Sequence, residues 1–425
     1  MSQVSNRRRR EILDALRVGT VPANGLDQLA VGLEKFDAGI TQDLGTLAHG
    51  GSVFKAVRGD YGSGKTFFSR WIGDRALKMG YAVAEVQINE SDTPLYKLDS
   101  VYRRAIESLR MASVPPSALR KLLDAWLYTV QEEADEQGIG VDILIDRRLA
   151  AVSDKAPIFP LAIRAYRKMV EDENRVGADA MVAWIGGQPN VAATIKRQAN
   201  IRGDLTNELA PSFFRGLLAV LKDAGHPGLI LVLDEVETVQ RMRSDTRMKA
   251  LNTLRQFIDE VHKGEYPGLY LLVTGTPALF EGRQGIRLLQ PLAERLHTDF
   301  SSDPRFDNVR APQLRLTAFD LEKLVELGTR VRALYASGAD NQDRVRTVAT
   351  DAFIKQLAIA VAGRLGAQVG TAPRIFLRKL VDVLDKVDQF EAFDPMSDYK
   401  LHIADSELDE AEKAAVSAND VQLDL

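Results

Sequence analysis

The 425-residue chain contains no cysteine, which excludes disulfides, thiolate nucleophiles and zinc–thiolate sites. Its five histidines are scattered, so a histidine-built metal centre is not expected either. No strongly apolar run exceeds residues 229–233, far short of the roughly 18–20 residues that cross a bilayer. The basic stretch 1–16 lacks the apolar segment of a secretory signal, so the expected location is the cytoplasm, with no membrane partner. With 31 glycines and 16 prolines the chain is neither collagenous nor low-complexity, and 45% hydrophobic against 27% charged residues excludes global disorder. An excess of one charge is also missing: 55 Lys and Arg against 59 Asp and Glu leave −4, too little basic character to draw the whole molecule onto nucleic acid. Any such contact must be local. The chemistry left to this chain is that of oxygen, lysine and arginine.

The length suits two to three domains of about 150 residues each. Residues 7–17 carry Ile12, Leu13 and Leu16 on one helical face, and 26–36 reads as a second helical stretch. Past Gly50 and Gly51, residues 53–57 predict a strand, a glycine-dense turn follows, and 66–79 predicts an apolar helix. Further strands are expected at 81–88, 229–233, 269–273 and 313–316. Helical segments separate them, which implies a parallel five-stranded α/β sheet with helices on both faces. About 140 residues lie between the second and third strands, too many for one crossover. A helical insertion over about 91–225 is therefore expected, with helices near 101–111, 117–133, 161–171 and 209–221. Beyond Phe319 the pattern is all helical, at 321–335, 347–362 and 373–386.

Gly59-Asp60-Tyr61-Gly62-Ser63-Gly64-Lys65-Thr66 completes G-x-x-x-x-G-K-[ST] between a predicted strand and a predicted helix, the context in which this pattern forms a phosphate-binding loop. Its glycines let backbone N–H groups wrap a polyphosphate at a helix N-terminus, Lys65 reaches the β- and γ-phosphates, and Thr66 ligates Mg²⁺. The run 229–233 ends in Asp234-Glu235, the form of a Walker B strand: Asp234 holds Mg²⁺ through water and Glu235 acts as general base on the attacking water. No N-K-x-D guanine-reading motif occurs, so the expected nucleotide is ATP. Gly186-Gly187-Gln188 resembles part of the ABC transporter signature, but Ile185 replaces its serine and the segment reads as a turn before Pro189.

The fourth strand ends in Thr274-Gly275-Thr276-Pro277; a polar side chain there can orient the lytic water, with Thr274 the first candidate and Thr276 the second. Arg295, shortly before the fifth strand, can serve as an arginine finger on a neighbour's γ-phosphate, with Arg287 as its rival. Thr371-Ala372-Pro373-Arg374 opens a helix of the C-terminal region, from which Arg374 can fold over the nucleotide.

These motifs, in this order, resemble the AAA+ superfamily of P-loop NTPases, above all its Orc1/Cdc6-like and transposition-regulator branches. Val31-Gly32-Leu33-Glu34 resembles the V-G-R-E box that flanks adenine there, with Leu33 in place of arginine. The stretches 8–17, Gly19-Thr20-Val21-Pro22 and 58–68 resemble the BREX-system ATP-binding proteins of the BrxD type. The resemblance implies nucleotide contacts from Gly59 through Thr66, from the following Phe67 and from Val31 and Gly32. It also implies an α/β AAA+ core over 51–318 carrying the insertion, an N-terminal helical segment over 1–50 flanking the site, a helical lid over 319–400 and a loosely held acidic tail over 401–425. The function it implies is prokaryotic phage defence beside a partner helicase. Few residues follow the lid, so the C-terminal winged helix of replication initiators is not expected.

Arg7 to Arg10, and the set Arg241, Arg243, Arg247 and Lys249, are candidate phosphate contacts for DNA. A finger acting in trans implies a homo-oligomer, head-to-tail and ring-like. The readings that follow are an ATP-hydrolysing motor or loader acting on DNA, an ATP-dependent switch scaffold with little turnover, and an initiator-like ATPase.

Overall fold

The computed structural model describes residues 4–154, 156–364, 373–408 and 413. All five expected strands form, as β1 (Val53–Arg58), β2 (Ala82–Gln87), β3 (Leu229–Asp234), β4 (Leu269–Gly275) and β5 (Gln313–Arg315). They make one parallel sheet in the order β2-β3-β4-β1-β5. β4 is buried at every position and β3 at all but its last, as strands covered on both faces must be. Alternation assigns the faces: Ala84, Leu231 and Leu271 point into one hydrophobic cluster, Val83, Ile230 and Tyr270 into another. The pairings Gln87↔Asp234, Leu233↔Val273 and Val57↔Thr274 bring Gln87, Asp234 and Thr274 to one level at the carboxyl edge, beside the exit of β1. In open α/β sheets that edge is where ligands bind.

The insertion is helical as expected, and it shares its core with the sheet. Phe213, on Ala210–Asp223, packs against the rings of Tyr102, Phe159 and Trp184 at centroid distances of 5.8, 5.1 and 5.7 Å. Burying each such ring stabilises by about 1.5–3 kcal/mol, so the insertion belongs to the core it covers. Helices Val141–Arg148 and Arg175–Ile185 fall between the predicted ones. The latter ends at the Gly186-Gly187 turn, where Gly187 has φ +79°, in keeping with the reading of that segment as a turn.

The C-terminal helices Leu321–Ala336, Gln342–Val348, Asp351–Arg364 and Pro373–Gln389 enclose a separate cluster that also takes Ile12, Leu13 and Leu16 of the N-terminal helix Asn6–Arg17. Arg17 secures that helix with two 2.8 Å bonds to Asp385, whose carboxylate also accepts the Tyr335 hydroxyl at 2.7 Å. The first helix is thus packed on the lid. The helix expected over 26–36 does not form. Gly32 takes φ +72°, so the segment becomes two 3₁₀ turns, Leu26–Gln28 and Glu34–Phe36, and the regular helix starts later, at Asp37–Ala48. The tail differs from expectation at Glu407, which Lys379 holds at 2.8 and 2.9 Å; residues 409–412 and 414–425 lie outside the described part.

Candidate functional site

β1 runs straight into the glycine loop, and helix Lys65–Lys78 leaves it. Gly62 and Gly64 adopt φ of +75° and +88°, a region that residues with a Cβ avoid. A Cβ on Gly59 would fall 2.3 Å from Ser63 Oγ, so any larger residue there would displace that hydroxyl. No side chain caps the helix, which leaves the N–H groups of its first turn aimed out of its N-terminus, and the buried Ser63 hydroxyl has no hydrogen-bond partner among the described residues. Converging donors, a positive helix end and an adjacent lysine fit a polyphosphate.

Lys65 is buried, and its ammonium donates to the carbonyls of Gly59 (3.0 Å) and Asp60 (3.1 Å). The Tyr61 ring lies over it with its centroid at 5.2 Å, and Glu237 Oε1 stands 4.0 Å away. Burial pushes the Lys65 ammonium below its ordinary range, opposed by Glu237, Asp234 and Asp60. Burial also pushes the Glu237 carboxyl up, against the pull of Lys65. Burial likewise raises the Tyr61 hydroxyl, with the neighbouring Arg241 opposing the shift.

The two halves of the site are joined by a hydrogen bond. Thr66 donates its hydroxyl to Asp234 Oδ2 at 2.8 Å, so the P-loop hydroxyl and the β3 carboxylate, the two groups suited to Mg²⁺, lie side by side. The buried Thr274 hydroxyl donates to Asp234 Oδ1 and accepts the Glu235 N–H at 3.1 Å. Thr274 thereby fixes both acidic residues. Glu235 is turned by a left-handed backbone, φ +58°, and its Oε2 accepts from the Gln87 side chain at 2.9 Å. Thr276 is buried two residues beyond Thr274, at the cap of Pro277–Glu281.

Glu237 and Gln87 escaped the sequence reading. Glu237 sits two places beyond the acidic pair, and only the 3₁₀ turn Val236–Arg241 swings it beneath Lys65. Gln87 had a signal, since it ends the strand that neighbours β3, but detecting it required the strand order.

The N-terminal segment and the lid close on the opposite flank. Val31 is buried in the lid cluster, and a Cβ on Gly32 would lie 3.2 Å from Lys323 Cε. Phe67 touches both the lid cluster and the sheet cluster, and Phe319 approaches Gly64 within 3.9 Å of a Cβ placed there. The structure therefore brings Phe67 and Phe319 against Gly64 of the P-loop, and sets Gly32 against Lys323 of the lid. Arg374 starts the last lid helix, lies against Gly19 and donates to the Glu407 carbonyl at 2.7 Å; Thr371 and Ala372 fall outside the described residues.

Arg295 stands apart from its own P-loop. It pairs with Asp259, two residues before Val261, whose carbonyl accepts Ser52 at 2.6 Å at the head of β1, whereas the P-loop leaves the other end of that strand. Arg287 is exposed. Of the basic runs, Arg9 is not an arm residue: its buried guanidinium donates to the carbonyls of Ser337 (3.2 Å) and Gly338 (3.4 Å), closing the end of Leu321–Ala336. Arg247 donates to the Met242 carbonyl at 2.8 Å, while Arg241, Arg243 and Lys249 stay exposed. No helix among the described residues is long and apolar enough to cross a membrane, and none of their acidic and histidine side chains cluster into a protein-only metal cage.

No curated protein matches the chain at a significant level. Among solved structures it is similar to the ORC2 protein of Aeropyrum pernix, solved as ADPNP and ADP complexes, with 15% identity, 83% of this chain and 67% of that one covered, and a TM-score of 0.33. The family model for the BREX system ATP-binding protein BrxC/D matches residues 4–403, which take in the P-loop, the β3 carboxylates and the lid, and the chain therefore belongs to the BrxC/D family of BREX system ATP-binding proteins.

Proposed function

We propose that this protein binds Mg²⁺-ATP between the P-loop and the end of β3, hydrolyses it, and uses the cycle in phage defence. The observation that carries the reading is the bond from Thr66 to Asp234, flanked by Glu235 and Lys65. Bound magnesium would draw charge from the γ-phosphate and hold its oxygens. The chain's own part is to place donors. The backbone N–H groups of 59–66 and the Lys65 ammonium orient the phosphates, Thr66 and Asp234 would hold the metal, and Thr274 keeps Asp234 in place. Glu235 takes a proton from the attacking water; its hydrogen bond to Gln87 sets where that carboxylate points.

Arg295 supplies a cation to a neighbouring copy's γ-phosphate, which fits its distance from its own P-loop, and the active species is accordingly a homo-oligomer. Arg287 is the alternative finger, and Arg374 contributes from the lid. DNA or a helicase of the same defence system is the partner on which the cycle acts. The second reading is an ATP-dependent scaffold with little turnover, favoured by the buried Glu237 that competes with phosphate for Lys65. Steady-state phosphate release with and without DNA separates the two: DNA-stimulated turnover supports the motor, and tight ATP binding with negligible release supports the scaffold. Glu235→Gln retains ATP and stops release; unaltered release from that variant would remove Glu235 from the role of base.

A further inference from the structure

On the face of the sheet covered by the insertion, a cleft of about 760 Å³ opens between the head of helix Leu98–Ser108 and the middle of helix Ser244–His262. Lys97 stands on one wall and Lys249 on the other; both are exposed, and neither has a carboxylate partner among the described residues. Asn252 and Gln256 follow Lys249 at three- and seven-residue steps, so all three share one helical face. Asn207 accepts the Leu98 N–H at 2.6 Å, which fixes the turn carrying Tyr96 and Lys97. Arg255 is already engaged by Asp259, and Asp99 is the one carboxylate on the lining.

Thr253 donates its hydroxyl to the Lys249 carbonyl, and Asn252 and Gln256 each donate one side-chain amide hydrogen bond within their helix. That leaves the two ammonium groups, the Asn207 amide, the Ser100 hydroxyl and one half-buried aromatic ring as the set that can grip a sugar–phosphate backbone and stack a base. A folded protein partner would call for apolar anchors in the floor, and Met248 is the single aliphatic side chain there. We propose that this cleft binds a single-stranded nucleic acid segment, with Lys97 and Lys249 on its phosphates and Tyr96 against a base. The proposal rests on the reading of DNA as partner and gives that partner a place. It also gives the partner a route to the ATP site, since the helix bearing Lys249 follows the turn that carries Glu237.

The test is fluorescence anisotropy of the full chain with a labelled oligothymidylate of about 16 nucleotides across a salt series. The double variant Lys97→Gln/Lys249→Gln should bind about 10-fold more weakly near 0.1 M salt, with a log–log salt slope shallower by about 1.4. Both lysines are exposed and carry no ion pair among the described residues, so unchanged ATP binding in the variant reports an intact fold and keeps this result separate from the ATP reading. Wild-type affinity in the double variant overturns the cleft and leaves DNA bound elsewhere. Absence of oligonucleotide binding by the wild type at low salt overturns cleft and DNA partner together, and equal competition by poly-glutamate overturns the nucleic acid assignment in favour of an acidic peptide.

Discussion

Asp234 ends β3 and Thr274 stands beside it one residue before the end of β4, and the threonine hydroxyl donates to one carboxylate oxygen while Thr66 donates to the other. Asp234 is thus clamped from β4 and from the P-loop, and the clamp continues through Thr274 to the N–H of Glu235. The residue expected from sequence to orient the lytic water also supports the two carboxylate residues.

Thr274→Val keeps the shape of the side chain and removes the hydroxyl. We expect a stability loss of about 1 kcal/mol in denaturant melts, nearly unchanged ATP affinity, and a raised magnesium requirement for turnover. A magnesium dependence identical to wild type would reassign the hydroxyl to packing.

Glu237 is a negative charge set against the lysine that should meet the phosphates. Glu237→Gln removes it, and ATP affinity measured by calorimetry should rise several-fold. Because burial raises the Glu237 pKa, acidification neutralises this carboxyl earlier than an exposed one. Wild-type affinity should therefore approach that of Glu237→Gln as pH falls, and the gap should widen as pH rises. A gap independent of pH contradicts the assignment.

Arg9 lies in the run that reads as a DNA arm, yet its guanidinium closes a lid helix. Arg9→Ala should cost about 1.5–3 kcal/mol in unfolding free energy, the range for bonds to a charged donor. Its DNA affinity should match wild type; a selective loss of DNA binding would return Arg9 to the surface role.

Arg295→Ala should spare ATP binding and monomer stability, since its ion pair with Asp259 is part-exposed and worth about 1 kcal/mol or less. Turnover in the assembly should fall by at least about 10³-fold. Mixing it with Lys65→Ala subunits, inactive but carrying an intact arginine, should restore part of the activity. No recovery in the mixture would send the finger to Arg287 or remove action in trans.

The motifs read from the sequence are those whose chemistry is local. A glycine loop between strand and helix, and an apolar strand ending in Asp234-Glu235, carry their pattern within eight residues, and the strands and helix that flank them form as expected. The reading failed where backbone freedom or distant packing decides. Gly32, by taking positive φ, turned a helical pattern into two 3₁₀ turns. Arg9 is indistinguishable from Arg8 and Arg10 until the lid helix brings its carbonyls to it. Gln87 meets Glu235 only because β2 and β3 are neighbours, a pairing made across the whole insertion.

The central claim, that Thr66 and Asp234 together hold the metal of a bound ATP, is tested most directly by a crystal structure with a non-hydrolysable ATP analogue and Mn²⁺, read by anomalous scattering. The account predicts a manganese peak between the Thr66 hydroxyl and the Asp234 carboxylate, with the triphosphate wrapped by residues 59–66. A nucleotide bound elsewhere, or manganese remote from both side chains, contradicts it.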